Sequence, residues 1–413
     1  MKLVIKSLAL AIAAAGLATP AMADTATTKG GFQIKSDDGN FEAKLGGRIH
    51  FDGNFYTSEK DLGSATAQDS NSQFFFRRAR ITIEGRAYDY TYKFENDFAN
   101  SADGAAKTNE GIREMWIGRQ VMGNKNLRLG QAKPYRGMEE LTSSNEITFM
   151  ERPLATASGI YNNQFTTGAF LDGSGEGYGY GVSVYTPRSV DSAETQGLGV
   201  NARGFFVPLR TNGNLIHIGL SASQDNFETN KTNKDPRIVG RENGLKTGDL
   251  IKKDAYNEQK TIAAELAARF GAFSMQGEYA KATFKDTRVQ PSTPALITQP
   301  DQDLDTYYVQ ASYFLTEHTK PYDFKKGVFK SPKLNGEEGA VELKARYDVI
   351  ENKDIKDNKA SVYTVGVNYY ATPNTRFMVE YVKGETDVNT GSGATLSTDR
   401  DAAAITARAQ FNF

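Results

Sequence analysis

The chain of 413 residues carries 49 Lys and Arg against 50 Asp and Glu, a formal net charge of −1, with 39 Gly, 20 Tyr, 24 Phe, 12 Pro, one Trp and no Cys. Even charge argues against a nucleic-acid binder, which is usually basic, and the lack of Cys removes disulfide scaffolds, thiolate zinc sites and cysteine nucleophiles. Three scattered histidines (His50, His217, His318) leave little for imidazole metal clusters or Ser-His-Asp catalysis, and no stretch past the N-terminal segment reaches the ~20 apolar residues of a membrane-spanning helix.

At the N-terminus, Lys2 and Lys6 lie before and inside the apolar run from Leu8 to Leu17, which is too short to cross a bilayer. Ala21-Met22-Ala23 then supplies a small-x-small cleavage pattern, so residues 1–23 are expected to be a signal peptide and Asp24 the mature N-terminus. The mature chain keeps 47 bases against 50 acids, and no composition break divides residues 24–413, which are read as a single domain.

From there the sequence repeats one pattern, a segment alternating with period two followed by a turn or polar loop. In chain order, clear cases are Ile262, Ala264, Leu266, Ala268 and Phe270 against Thr261, Glu265 and Arg269, then Val341, Leu343, Ala345, Tyr347 and Val349 against Glu342, Lys344, Arg346 and Asp348. The last is Ile405, Ala407, Ala409, Phe411 and Phe413 against Thr406, Arg408, Gln410 and Asn412. About 16 strands are predicted, beginning near residues 42, 72, 89, 111, 125, 158, 177, 201, 214, 259, 272, 305, 339, 361, 374 and 401.

Their connections mostly alternate long and short. Residues 54–71, 100–110, 134–157, 225–258, 285–304 and 384–400 are long, whereas Met122-Gly123-Asn124, Thr211-Asn212-Gly213, Gly271 and Thr372-Pro373 are tight. An even-stranded meander of this kind predicts an all-β fold, a 16-stranded antiparallel transmembrane β-barrel, with long loops outside the cell and short periplasmic turns. Closure pairs every backbone amide and carbonyl and leaves no strand edge in lipid. Tyrosines at strand ends, such as Tyr88, Tyr90, Tyr307, Tyr308, Tyr369 and Tyr370, fit interfacial girdles. Residues 317–338 break the rule, a periplasmic link of 22 residues that is either an elaborate turn or a miscounted strand pair.

Several segments then become recognisable. Phe74-Phe75-Phe76-Arg77-Arg78-Ala79-Arg80-Ile81, Leu129-Gly130-Gln131-Ala132-Lys133-Pro134-Tyr135-Arg136-Gly137-Met138-Glu139, Thr142-Ser143-Ser144, Met150-Glu151-Arg152, Leu45-Gly46-Gly47-Arg48 and Pro321-Tyr322-Asp323-Phe324-Lys325-Lys326-Gly327 occur in one order. Together they resemble the phosphate-selective porin O and P family, over most of the mature chain. The resemblance implies a trimeric 16-stranded barrel that passes anions, an inward-folded constriction loop over about 134–157, and a long late turn over 317–338. Two departures bear on phosphate. The family's phosphate-selective members resemble one another in carrying Lys where this chain has Glu140, and Arg80 stands where an aromatic is common. Arg113 is a candidate to offset Glu140. The loop over 225–258, with Arg237 and Arg241 among seven bases facing seven acids, makes no strong electrostatic funnel.

Strand phase selects the lumen residues. Ile81, Ile83 and Ala87 face lipid, so Arg78, Arg80, Glu84 and Arg86 face inward, because a base at the bilayer midplane costs roughly 2–4 kcal/mol. Arg48, Arg78 and Arg80 are expected to form a basic rim opposite the constriction loop, while Arg77 falls out of phase and enters through the family motif alone. Guanidiniums grip oxyanions and stay charged. The candidate pore-lining set is Arg48, Arg77, Arg78, Arg80, Arg113, Lys133, Arg136, Glu140, Arg237 and Arg241, with Glu139 expected to accept backbone hydrogen bonds that pin the loop to the wall. Asp301, Asp303 and Asp305 share a phase but read as a solvated loop face, and His217 as a polar lumen residue.

The sequence therefore predicts an outer-membrane channel of a Gram-negative bacterium for passive diffusion of small hydrophilic solutes, biased to inorganic anions such as phosphate and chloride. The alternative is a general porin of the same fold with weak or cationic selectivity. No enzymatic activity, cofactor, metal or nucleic-acid partner is expected. The expected partners are outer-membrane lipid and lipopolysaccharide, two further copies in a homotrimer, and the barrel-assembly machinery, which would read the terminal Phe413.

Overall fold

The computed structural model describes residues 25–27, 32–60, 72–99, 111–157, 160, 164–187, 197–228, 234, 236–240, 245–252, 255–287, 300–334, 339–356, 358–389 and 397–413; the expected leader lies outside them. Sixteen antiparallel strands form one closed sheet: β1 Phe41–Lys60, β2 Gln73–Ala87, β3 Tyr90–Asp97, β4 Ile112–Val121, β5 Lys125–Ala132, β6 Thr166–Gly175, β7 Tyr178–Thr186, β8 Gly197–Arg210, β9 Asn214–Phe227, β10 Glu258–Phe270, β11 Phe273–Lys285, β12 Gln302–Phe314, β13 Ala340–Asn352, β14 Asn358–Thr372, β15 Thr375–Asn389 and β16 Ser397–Asn412. Each pairs with the next, and β16 returns to β1 from Asn412↔Arg48 to Asp401↔Lys60. Two short strands, Thr25–Thr27 and Phe32–Lys35, extend the sheet below that seam, the second pairing with Glu42–Leu45 of β1.

Alternation has the expected physical basis. On β10 the outward Ile262 and Leu266 are 59% and 53% exposed, while the intervening Ala263 and Ala267 are buried inside. Outward Tyr307, Tyr347 and Tyr363 pack ring against ring across three strands, the first pair edge-on, with centroids 6.4 and 4.6 Å apart. At one end of the barrel the turns, apart from the link between β12 and β13, are two or three residues long. Gly271, between β10 and β11, takes φ 57°, the left-handed backbone that a tight hairpin requires.

Among the described residues, three connections fold into the lumen. The constriction loop, here L3, runs over 133–165 and carries two one-turn helices, Met138–Leu141 and Leu154–Ala157. The strand predicted to begin near 158 starts at Thr166; Ile160 and Phe165, which precede it, are buried inside the barrel instead of facing lipid. The connection between β9 and β10 (L5) is an apolar plug. Its Ile238, Val239, Leu245, Leu250 and Ile251 pack against inward Ala263, Ala280, Ala282, Ala360, Ala402 and Ala404, whose small side chains leave room for it. Each buried aliphatic there contributes about 1.5–3 kcal/mol. The link between β12 and β13 proves to be an elaborate turn, not a miscounted strand pair. Its hairpin of Tyr322–Asp323 with Val328–Phe329 packs on Met138, Phe205, Val207, Leu215 and Ala267. These insertions bury the inward faces of β8 to β16, so partly exposed charged side chains such as Lys93, Arg113, Glu114, Arg128 and Asp172 line the wall of β3 to β6.

Candidate pore constriction

The predicted bases converge where β1 to β4 face L3. Arg48 and Arg80 sit opposite one another in register, and like charges so placed need a shared counter-ion. Glu95 supplies it, accepting from Arg48 Nη2 at 2.7 Å and Arg80 Nη1 at 3.0 Å. Arg80 Nε also donates to Asp97 at 2.8 Å, and Arg113 lies 3.5 Å from the same carboxylate. Arg48 reaches across to L3, donating from Nη1 to Ser144 Oγ at 2.8 Å.

Arg77 also faces inward, which simple alternation denies. The β1–β2 register slips between His50 and Phe51, pairing His50 with Arg78 and Phe51 with Phe76, so Arg77 is the extra residue of a β-bulge. The bulge aims two consecutive arginines into the lumen. Arg77 forms a bidentate pair with Glu151 of L3, at 2.6 and 2.8 Å, and Glu151 also lies 3.2 Å from Arg408, which is itself bidentate to Asp52 at 2.7 Å. Arg78 differs. Among the described residues it ion-pairs with no carboxylate, and its hydrogen bond goes to His50 Nδ1 at 3.4 Å, while His50 Nε2 lies 3.3 Å from Asn145 Oδ1 of L3. These contacts fit a neutral His50 with the proton on Nε2. Six guanidiniums (Arg48, Arg77, Arg78, Arg80, Arg113, Arg408) thus face four carboxylates (Asp52, Glu95, Asp97, Glu151). Side-chain exposure rises from 9% at Arg80 and 11% at Arg48 to 17% at Arg77 and 23% at Arg113, so Arg77 and Arg113 are the more open to water.

The remaining candidates lie away from this rim. Lys133 donates to the carbonyls of Glu140 at 2.6 Å and Thr142 at 3.4 Å, tying the root of L3 together; burial, and then Arg152 beside it, pull its pKa well below that of an ordinary lysine. Arg136 is buried against the Tyr185 ring, 4.9 Å from its centroid. Burial alone would lower its pKa, but Tyr185, Asp225 and Glu140 more than offset that and raise it. Glu140 is buried and accepts from Gln164 Nε2 at 2.9 Å, so Arg113 answers Asp97 and not Glu140. Arg237 is half-buried in the L5 hairpin, and Arg241 lies outside the described residues.

L3 is pinned in the sense opposite to that expected of Glu139. The wall supplies the carboxylates: Glu278 accepts from the N–H of Met138 at 2.9 Å and of Glu139 at 2.7 Å, Glu380 from Met150 at 2.7 Å, and Asp348 from Leu154 at 3.3 Å. The Glu139 side chain itself accepts from Gln276 at 3.0 Å. His217, expected to be a polar lumen residue, is fully buried between Tyr322 and Glu265, at 2.6 and 3.1 Å, and clamps the long turn. Asp303 and Asp301 face Lys281 and Lys285 at 2.7 and 2.5 Å. Phase alone places Asp52 beside Arg48 and His50; Glu95 and Asp97 could be found in the same way.

Residues 43–413 match the family described as phosphate-selective porin O and P. The chain belongs to this family. This porin is 28% identical to Porin O of Pseudomonas aeruginosa over 99% of its own length and 98% of that protein. Among solved structures it resembles an anion-selective porin from Comamonas acidovorans (TM-score 0.57, 12% identity, 90% of this chain and 100% of that one). It also resembles the channel DcaP of Acinetobacter baumannii (0.52, 13%, 92% and 99%) and the trimer form of OmpT from Vibrio cholerae (0.52, 12%, 90% and 99%). It is an outer-membrane β-barrel channel for small hydrophilic solutes, biased to anions.

Proposed function

We propose that inorganic anions, phosphate among them, cross this porin by passive diffusion past the basic rim of β1 to β4, with Arg78 as the charge that sets selectivity. The excess of six guanidiniums over four carboxylates, with Arg78 outside every ion pair among the described residues, carries this reading. An ion that meets bases already shared with carboxylates is attracted without being trapped, which conduction requires. Burial of Glu140 against Gln164 supports phosphate passage where the family's lysine is missing, because the carboxylate is buried within L3 and withheld from the pore.

The same reading includes removal of residues 1–23 as a signal peptide and assembly as a homotrimer, by analogy with the trimeric OmpT. It also includes contact with lipopolysaccharide in the outer leaflet, recognition of Phe413 by the assembly machinery, and no covalent chemistry. The test is the reversal potential across planar bilayers under a KCl gradient. Wild type favours chloride, and Arg78→Glu lowers the anion-to-cation permeability ratio roughly fivefold to tenfold, since two charge units about 7 Å away in water shift an ion's energy by about 1.2 kcal/mol. An unchanged reversal potential sinks the assignment.

A further inference from the structure

The protein's one tryptophan does not sit in a lipid-facing girdle, where tryptophans of barrels usually collect. On β4 the outward neighbours Met115 and Ile117 are exposed, and Trp116 has the inward phase, half-buried. It lines a cavity of about 790 Å³ that opens among the tight turns, on the periplasmic side of the constriction. Trp116 and Leu141 pack there on Tyr135 and Phe170 as an apolar patch. The ring is fixed at its edge and on one face. Nε1–H donates to Glu114 at 2.9 Å, and the Arg128 guanidinium, 3.4 Å from Asp172, lies 5.4 Å from the ring centroid.

The tip of the long turn contributes Lys325 and Lys326 to the same cavity. The backbone of this tip is held: Arg203, bidentate to Glu265, donates to the carbonyls of Lys326 and Gly327 at 2.7 and 3.0 Å, with both lysine side chains exposed. Eight basic and four acidic side chains line the cavity as a whole. Small anions need neither this volume nor an apolar patch, whereas pockets for organic ligands run to roughly 300–1,000 Å³ with apolar lining and a few polar groups.

We propose that this vestibule is a binding site for organic phosphomonoesters with an aromatic body, the phosphate meeting Lys325 and Lys326 and the ring lying on Trp116 and Leu141. The site rests on the reading that anions traverse the pore, and extends the solutes it handles beyond inorganic ions.

Because Trp116 is unique, its intrinsic fluorescence in the folded barrel reports the site directly. Phenyl phosphate, inorganic phosphate and phenol are titrated separately, and the reversal potential of the same preparation is measured in parallel. Phenyl phosphate is expected to perturb the emission with half-saturation about fivefold below that of inorganic phosphate, the factor a partly exposed aromatic contact supplies. The Lys325→Gln/Lys326→Gln variant should weaken phenyl phosphate and leave phenol unchanged. In bilayers, block by phenyl phosphate should survive Trp116→Phe and be lost in Trp116→Ala. Equal half-saturation for phosphate and phenyl phosphate, or for phenol and phenyl phosphate, overturns the proposal. No response to any probe while the channel remains anion-selective overturns it alone; no response together with lost anion preference overturns the anion reading as well.

Discussion

Arg78 and Arg80 lie two residues apart on one strand face and perform different work. Arg80 is locked between Glu95 and Asp97, whereas Arg78 bonds only an imidazole among the described residues. Removing a buried cation from carboxylates that depend on it leaves uncompensated charge, so Arg80→Ala is expected to destabilise the barrel by about 3 kcal/mol. Arg78→Gln, which forfeits one long hydrogen bond, should cost less than about 1 kcal/mol. Urea unfolding of both variants in detergent checks the order, and equal losses would contradict it. At this scale the sequence was legible where alternation ran undisturbed, as at Arg48, Arg78 and Arg80. Alternation put Arg77 out of phase, because its inward aim depends on a bulge that only pairing with β1 reveals. Pairing partners were equally hidden: Arg113 meets Asp97 on the neighbouring strand and Glu140 meets Gln164 within L3, contacts that strand register and the course of the loop decide.

Among the elements, L3 carries most of the functional weight, and its position depends on the wall opposite the pore. Glu278 and Glu380 cap three of its backbone amides, and Lys344 completes the anchor by donating to Glu380 at 2.5 Å and to the Thr148 carbonyl at 3.0 Å. Orphaning buried amides costs about 1–3 kcal/mol each. The Glu278→Met/Glu380→Met variant is therefore expected to free L3, raising single-channel conductance and its noise and exposing residues 138–157 to protease. A channel of wild-type conductance and protease resistance would show that other contacts suffice. The inward course of L3 entered through family resemblance, and the loop runs past the expected 157 to Thr166, with Ile160 and Phe165 buried inside the barrel. L5 shows the same ambiguity: its aliphatic residues cover alanines inside the barrel, and hydrophobicity alone does not tell an inner apolar surface from lipid.

For the whole molecule, closure at the β1–β16 seam is the decisive event. The terminal residue takes part in it, with the N–H of Gly47 donating to the Phe413 carbonyl at 2.9 Å and that of Phe413 donating to the Gly47 carbonyl at 3.1 Å, while the rings of Phe411 and Phe413 stack at 6.1 Å. Deleting Phe413 removes both hydrogen bonds and the stack, so the folded fraction on heat-modifiability gels should fall, and Phe413→Tyr should restore it. Full folding of the deletion would place the seam's strength elsewhere. What the sequence determined by itself was the barrel: period-two alternation, sixteen segments and unequal connections report a local property, since each strand must turn one face to lipid wherever it lies. What only the tertiary structure decided was where charge resides. A chain of net charge −1 presents six guanidiniums to four carboxylates at its rim and eight bases to four acids in its vestibule. On the reading proposed above, selectivity follows the charge that the fold leaves without a carboxylate, Arg78, and composition does not record which that is.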